Sequence, residues 1–577
     1  MITADGLDHP ISLKLCKRLN RFFEALSILS SLQTACGRNS QFTATSDTSV
    51  SEESHSRTLE CFINKLAQTC DNKRHGPTVT SLAIVRPPDK LLYAFASNQR
   101  SHEDNEEARG FVFSILHYVN QVCAEPCFRD DECSTVFRHV LRNILNFNHE
   151  RIQHYRQSLL ERLDQCLRDC ERCTSEQSKF VHSLGVWTRN EARLMSLDTS
   201  LKAVLLPIQQ IALLPSDEPT EDDGVSSTSS KNEELVRAAT ALRQSPAFND
   251  IVDKGKAGKI DESQHWCELQ HFIGRLASYF RATQAILGAR KSHPELFAME
   301  GLEIHFIDSS KPIPNPMNAF QAGLPPTQRD TVRSAHAIIS RMTSDKGKQE
   351  VYQQYADELQ RCGLDDLIAK QCRKKTFRPI AHSEVLLLEW LRSEFAEETH
   401  SIPFYSGVKY IGCSKPTCRL CEYYFAAHSS GVRVRPPHRN VYPNWVVPDV
   451  LVEGETSQYK ARMIDAVLGR VRDDVFMALR EKVSERKRFD SNTYSSQPTY
   501  ESLADISDDL DDLVSQVGGI LIASRSRISC AEVRSNMRIG DDAWSVVAQN
   551  DETDEDNDGG VLMFTGRNMR SKDYLDV

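Results

Sequence analysis

Two short clusters carry the residues best suited to chemistry: His382-Ser383-Glu384 and Cys418-Arg419-Leu420-Cys421. A catalytic zinc takes three nitrogen or sulfur ligands and keeps one position for water. His382, Cys418 and Cys421 supply such a set. Two thiolates and a neutral imidazole balance the dication, and a water bound there ionises near neutral pH. Glu384, two residues beyond His382, is placed to take the proton of that water and pass it on. This combination points to hydrolytic removal of an exocyclic amine from a base. Cys413 offers a Cys-x4-Cys alternative and stands as a competing ligand; the spacing and the helix start favour Cys418 and Cys421.

These groups need elements to hold them. Val385, Leu386, Leu387, Leu388, Trp390 and Leu391 follow Glu384, so His382 and Glu384 open a buried helix. Residues 408–411 read as a strand running into Cys413. Tyr423, Tyr424 and Phe425 continue a helix that the Cys-x-x-Cys pair opens. The positive end of a helix dipole favours thiolates at that position. Far upstream, the apolar runs at 78–85 and 91–98 flank the turn 87–90 and predict a hairpin. Helical periodicity covers 10–37, 57–70, most of 105–298, 329–342 and 346–361, with 149–200 reading as an antiparallel helix pair. Residues 302–307 and 432–435 read as further short strands, and 457–488 as a closing helix. Cys166, Cys170 and Cys173 share one helix face and read as core thiols.

The central stretch resembles the cytidine-deaminase-like superfamily, and within it the toxin-related OTT-type deaminases common in filamentous fungi. The matching pieces are His382-Ser383-Glu384, Tyr410-Ile411-Gly412-Cys413-Ser414-Lys415, Cys418-Arg419-Leu420-Cys421, and His438-Arg439-Asn440-Val441-Tyr442 with Trp445. The common superfamily pattern has Pro directly before the first cysteine of the pair. Here Thr417 holds that place and Pro416 precedes it, which the OTT-type pattern accommodates. The resemblance implies an α/β fold, a three-layer α/β/α sheet, with a hairpin before the His-x-Glu helix. The run 78–98 is the candidate for that hairpin, which makes the long helical stretch an all-α insertion. The resemblance also implies zinc and a nucleobase substrate of cytosine or adenine type, free or in single-stranded nucleic acid. Asn98 then faces sugar or base, or else caps the next segment. His438 and its loop bear on substrate choice. Arg439, with Arg433 and Arg435, pairs with phosphates or forms a solvated charged surface. Tyr442 and Trp445 stack on a base or pack over the last helix.

The chain has 577 residues, room for two or three domains. The reading is an N-terminal helical region (1–75), the hairpin (76–100), a helical insertion (101–370) with a flexible acidic linker at 216–233, a zinc core with its closing helix (371–490), and a mostly disordered acidic tail (491–577). A net charge of −10 argues against a protein that coats nucleic acid, though not against a local basic groove. The 17 cysteines sit in helical sequence without a signal peptide, which suggests reduced thiols in a cytoplasmic or nuclear protein. The apolar stretch 201–214 is too short and polar to span a bilayer, so no membrane association is expected. Two other readings remain open. One is a non-catalytic interaction protein, with a structural zinc and a helical region that binds a protein partner. The other is an effector whose helical part restrains access to the site.

Overall fold

The structure is a computed structural model that describes residues 10–39, 54–122, 130–184, 189–213, 228–257, 260–317, 333–395, 401–449 and 456–485. The order is α1 (Pro10–Ala35), β1 (Gly37–Asn39), α2 (Ser54–Thr69), β2 (Thr80–Val85), β3 (Leu91–Ser97), α3 (His102–Val122), α4 (Asp130–Phe147), α5 (His149–Leu184), α6 (Arg189–Leu213), α7 (Thr228–Gln244), α8 (Ala247–Ala257) and α9 (Ile260–Ser292). Then come β4 (Leu302–Ile307), α10 (Ala335–Met342), α11 (Lys346–Gln360), α12 (Leu364–Arg373), α13 (Ser383–Glu394), β5 (Tyr410–Cys413), α14 (Arg419–Ala427), β6 (Arg433–Val434), α15 (Thr456–Glu481) and β7 (Val483–Glu485). The described chain is mostly helical around one small mixed sheet. None of its described helices is long and apolar enough to cross a membrane.

The sheet has the order β4-β3-β2-β5-β6. β2 and β3 form an antiparallel hairpin, and β2 also pairs antiparallel with β5 through Ser81–Cys413 and Leu82–Gly412. Strands some 330 positions apart in sequence thus lie side by side. Successive side chains of a strand point to opposite faces, and here both faces are buried. Leu82, Ile84, Leu91, Tyr93 and Phe95 enter one core, shared with α2 to α9. Ala83, Val85, Leu92, Ala94 and Ala96 enter a second core, shared with α1 and α10 to α15. The small residues lie on the face where α13 crosses β2, β3 and β5, and they let the helix approach closely.

Several elements differ from the sequence expectation. The stretch 101–370 contributes a strand to the sheet and so is not all-helical. β4 pairs parallel with β3, and Phe306 stacks on Phe95 at 4.4 Å between ring centroids. Residues 228–233, read as linker, form the start of α7. Glu233 there is buried and ion-paired with Arg142 at 2.8 Å and Arg237 at 2.9 Å. Charge pairing, which leaves no apolar period, holds that turn. β5 begins at Tyr410, not 408, because Ser406 and Gly407 turn through positive φ first. The closing helix stops at Glu481, and residues 483–485 pair parallel with Gly37–Asn39. The rest of the proposed linker and the whole 491–577 tail lie outside the described residues.

Candidate metal centre

His382 is the N-cap of α13, in extended backbone with φ −69° and ψ 153°. A helix start leaves its first N–H groups without intrahelical partners. Ser383 N–H donates to Asn98 Oδ1 at 3.0 Å, and Asn98 Nδ2 donates to Gly76 O at 3.2 Å. Ser383 Oγ also lies 2.8 Å from Ser81 Oγ. The helix that carries His382 and Glu384 is therefore fastened to β2 and to the end of β3. Cys418 is the N-cap of α14, and its Sγ accepts the Cys421 N–H at 3.5 Å. That start is tied to β2 in turn: Ser414 N–H donates to Thr80 O at 2.8 Å, and Thr80 N–H to Ser414 Oγ at 3.2 Å.

The two N-caps face each other. His382 Nδ1 is 3.5 Å from Cys418 Sγ and 3.6 Å from Cys421 Sγ, and the three ligand atoms lie within 4.8 Å of one another. Tetrahedral zinc, with Zn–S about 2.3 Å and Zn–N about 2.0–2.1 Å, sets nitrogen and sulfur about 3.5 Å apart. The donor set and its spacing fit that ion. Burial would raise the Cys418 thiol, but hydrogen bonding from Cys421 and the charge of His382 hold it well below the usual range. Burial, with the neighbouring Cys418, pushes the Cys421 thiol up. Burial alone would lower the basicity of His382; the Cys418 thiolate reverses this and raises it.

Glu384 is 4% exposed, and its Oε2 lies 3.9 Å from Cys421 Sγ. Burial, reinforced by the Cys418 charge, pushes its carboxyl up to about 7. A carboxyl in that range can both accept and return a proton near neutral pH. His382, Glu384 and Cys418 line one small cavity with Asn98, His438 and Tyr442. Cys413 is also in its wall but stands outside the three-atom group, its thiol pushed up to about 12 by burial.

Other residues singled out in the sequence fall into different places. His438 is buried, its Nδ1 accepts from Asn440 N–H at 2.9 Å, and its ring meets Tyr442 edge-on at 5.6 Å. Arg439 adopts positive φ, is not in the cavity wall, and lies near Glu422. Arg435 is buried and donates to Cys413 O at 3.2 Å and Ser414 O at 3.3 Å, propping the backbone behind the cavity. Trp445 is fully buried behind Cys418 and Cys421, with its Nε1 donating to Cys421 Sγ at 3.3 Å. Cys166 and Cys170 are buried on α5, and His382, Cys418 and Cys421 form the metal-compatible group found among the described residues. Gly76, Val79 and Lys415 line the cavity without having been singled out. For Lys415 a signal existed, its place in the Ser-Lys-x-x-Cys-x-x-Cys run. For Gly76 and Val79 none did.

Residues 381–449 match a family model described as OTT_1508_deam-like deaminase. The match opens one residue before His382 and closes after Trp445, so it contains the whole ligand set and Glu384. Fold and site together define a deaminase-like segment with a possible His/Cys/Cys metal site. Gly76, Val79 and Asn98, which flank the β2–β3 hairpin, complete the cavity from outside the matched stretch. No curated protein and no solved structure matches the chain.

Proposed function

We propose that the chain is a zinc-dependent hydrolytic deaminase acting on a cytosine- or adenine-type base, free or in single-stranded nucleic acid. The observation that carries this is the N···S spacing at His382, Cys418 and Cys421 with the Glu384 carboxyl buried beside it. Zinc held by those three residues would supply a water of lowered pKa as nucleophile. Glu384 would take one proton from that water and deliver it to the ring nitrogen as the C–O bond forms, then take the second proton from the new hydroxyl and deliver it to the amine, which leaves as ammonia as the C–N bond breaks. Asn98 fixes the start of α13 so that Glu384 and His382 keep their relative positions. Tyr442 and His438 form the aromatic and polar wall against which a base would lie. In the same reading the sheet and its flanking helices are a three-layer α/β/α domain, interrupted between β3 and β4 by an insertion whose helices bind a protein partner.

The test is to purify the wild type and Glu384→Ala, measure zinc, and screen nucleosides and single-stranded RNA and DNA for amine loss. Both proteins are expected to hold one zinc, and the variant is expected to lose about 100-fold or more of any turnover. Absence of zinc from both proteins would sink the reading. Zinc in both with no deamination by the wild type would favour a structural centre in an interaction protein.

A further inference from the structure

We infer that Trp445 is a positioning residue of this centre, whose indole N–H fixes and stabilises the Cys421 thiolate for the metal. This rests on the reading of His382, Cys418 and Cys421 as ligands. An indole nitrogen is a donor only, and when buried it needs an acceptor. Here that acceptor is Cys421 Sγ at 3.3 Å, and the ring has no exposed surface. A desolvated thiolate in turn needs donors to hold its charge. Each sulfur has one: Cys418 takes the Cys421 backbone N–H, and Cys421 takes Trp445 Nε1.

The surrounding contacts hold the indole in that orientation. Val446 N–H donates to Ile380 O at 2.9 Å and Ile380 N–H to Asn444 O at 3.3 Å, so the Trp445 segment pairs with the backbone that delivers His382 two residues later. Arg419 N–H donates to Asn440 O at 3.1 Å, tying the same loop to the start of α14. Phe22 and Tyr424 close on the ring at 5.8 and 6.3 Å between centroids. Trp445 is therefore wedged between the two segments that bear the ligands. Hydrogen bonds from such outer partners typically account for 10–100-fold in metal affinity.

The experiment compares the wild type, Trp445→Phe, and a protein carrying benzothienylalanine at 445, which keeps the indole shape but has no N–H. Zinc affinity is read by competition with a chromophoric chelator. The thiolate-to-metal charge-transfer band is read on the cobalt(II)-loaded proteins. Both altered proteins are expected to bind zinc about 10–100-fold more weakly. Their band is expected to move to lower energy, because a thiolate without its donor gives up charge more readily. If Trp445→Phe fails to fold, the benzothienyl protein decides. Wild-type affinity and band in the benzothienyl protein would overturn the inference while leaving the centre intact. A wild type that binds no zinc would overturn the centre and the inference together.

Discussion

Asn98 uses both ends of its amide to hold backbone: Oδ1 takes the first N–H of α13, and Nδ2 reaches the turn at Gly76. Loss of a capping acceptor typically costs about 1 kcal/mol. Asn98→Ala is expected to lower stability by about that amount in urea unfolding and to weaken zinc binding; unchanged values for both would remove the residue from the positioning role. Lys65 tests the interior differently. It is 2% exposed, its ammonium donates to Gln68 Oε1 at 2.9 Å, and burial drops it to about 7, with Cys61 opposing and Arg435, Arg281 and Arg243 reinforcing. Its folded value lies below the unfolded one, so between about 7 and 10.5 the unfolded chain binds the extra proton. The penalty is therefore full below pH 7 and fades as pH rises toward 10.5. The stability of Lys65→Met relative to wild type is expected to be more favourable at low than at high pH, the difference between pH ~6.5 and ~9.5 being about 2–3 kcal/mol in urea midpoints. A pH-independent difference would contradict it. At this scale the sequence was legible where chemistry is local. His-x-Glu and Cys-x-x-Cys each sit on one helix start, and spacing alone places them. Asn98 on Ser383 spans 285 positions, and nothing local in either residue announces the contact.

Among the elements, the hairpin was plain because both its strands are continuous apolar runs, as burial on two faces requires. Helix α12 has no clear signal in the sequence, and the start of α7 reads as linker, because buried polar groups such as Gln371 and Glu233 blur the apolar period. β5 shows how tightly its neighbours constrain an element. A Cβ on Gly412 would fall 2.6 Å from Ile63 Cγ2 and 2.8 Å from Asn64 Oδ1. α2 thus lies directly on that strand, and Asn64 Oδ1 accepts the Cys413 N–H at 3.1 Å while Nδ2 donates to Tyr410 Oη at 2.8 Å. Gly412→Ala must push β5 off α2. It is expected to cost about 1–3 kcal/mol in thermal or urea unfolding and to lower zinc content, because Cys413 leads directly into the Cys418 turn. A variant as stable and zinc-rich as the wild type would mean that the contact is looser than its geometry.

At the scale of the whole molecule, the ligands come from one end of the chain and the frame that aims them from the other. The core behind α13 includes Ala83, Ala94 and Ala96 of the hairpin, together with Phe22, Phe23, Leu26 and Leu29 of α1. α1 packs along α15 and α12, so the segment with the metal-compatible group is covered by residues more than 300 positions upstream. Sequence order suggested a hairpin feeding the distant site, but no local pattern links α1 to α15, because either helix would bury its apolar face against any complementary partner. Residues 371–490 contain every proposed ligand and the whole of the matched deaminase-like stretch. Expressed alone, they would leave α13 without the strands it lies on, α14 without the Thr80 pairing, and α15 without α1. Such a fragment would expose apolar faces that the intact chain buries, and it would lack Asn98 and Asn64 to hold the two ligand-bearing starts. It is expected to show no cooperative thermal transition by circular dichroism and less than stoichiometric zinc, while the full chain shows both. A fragment that melts cooperatively with one zinc per chain would show that the upstream strands and α1 are covering only, and that the centre assembles from its own segment.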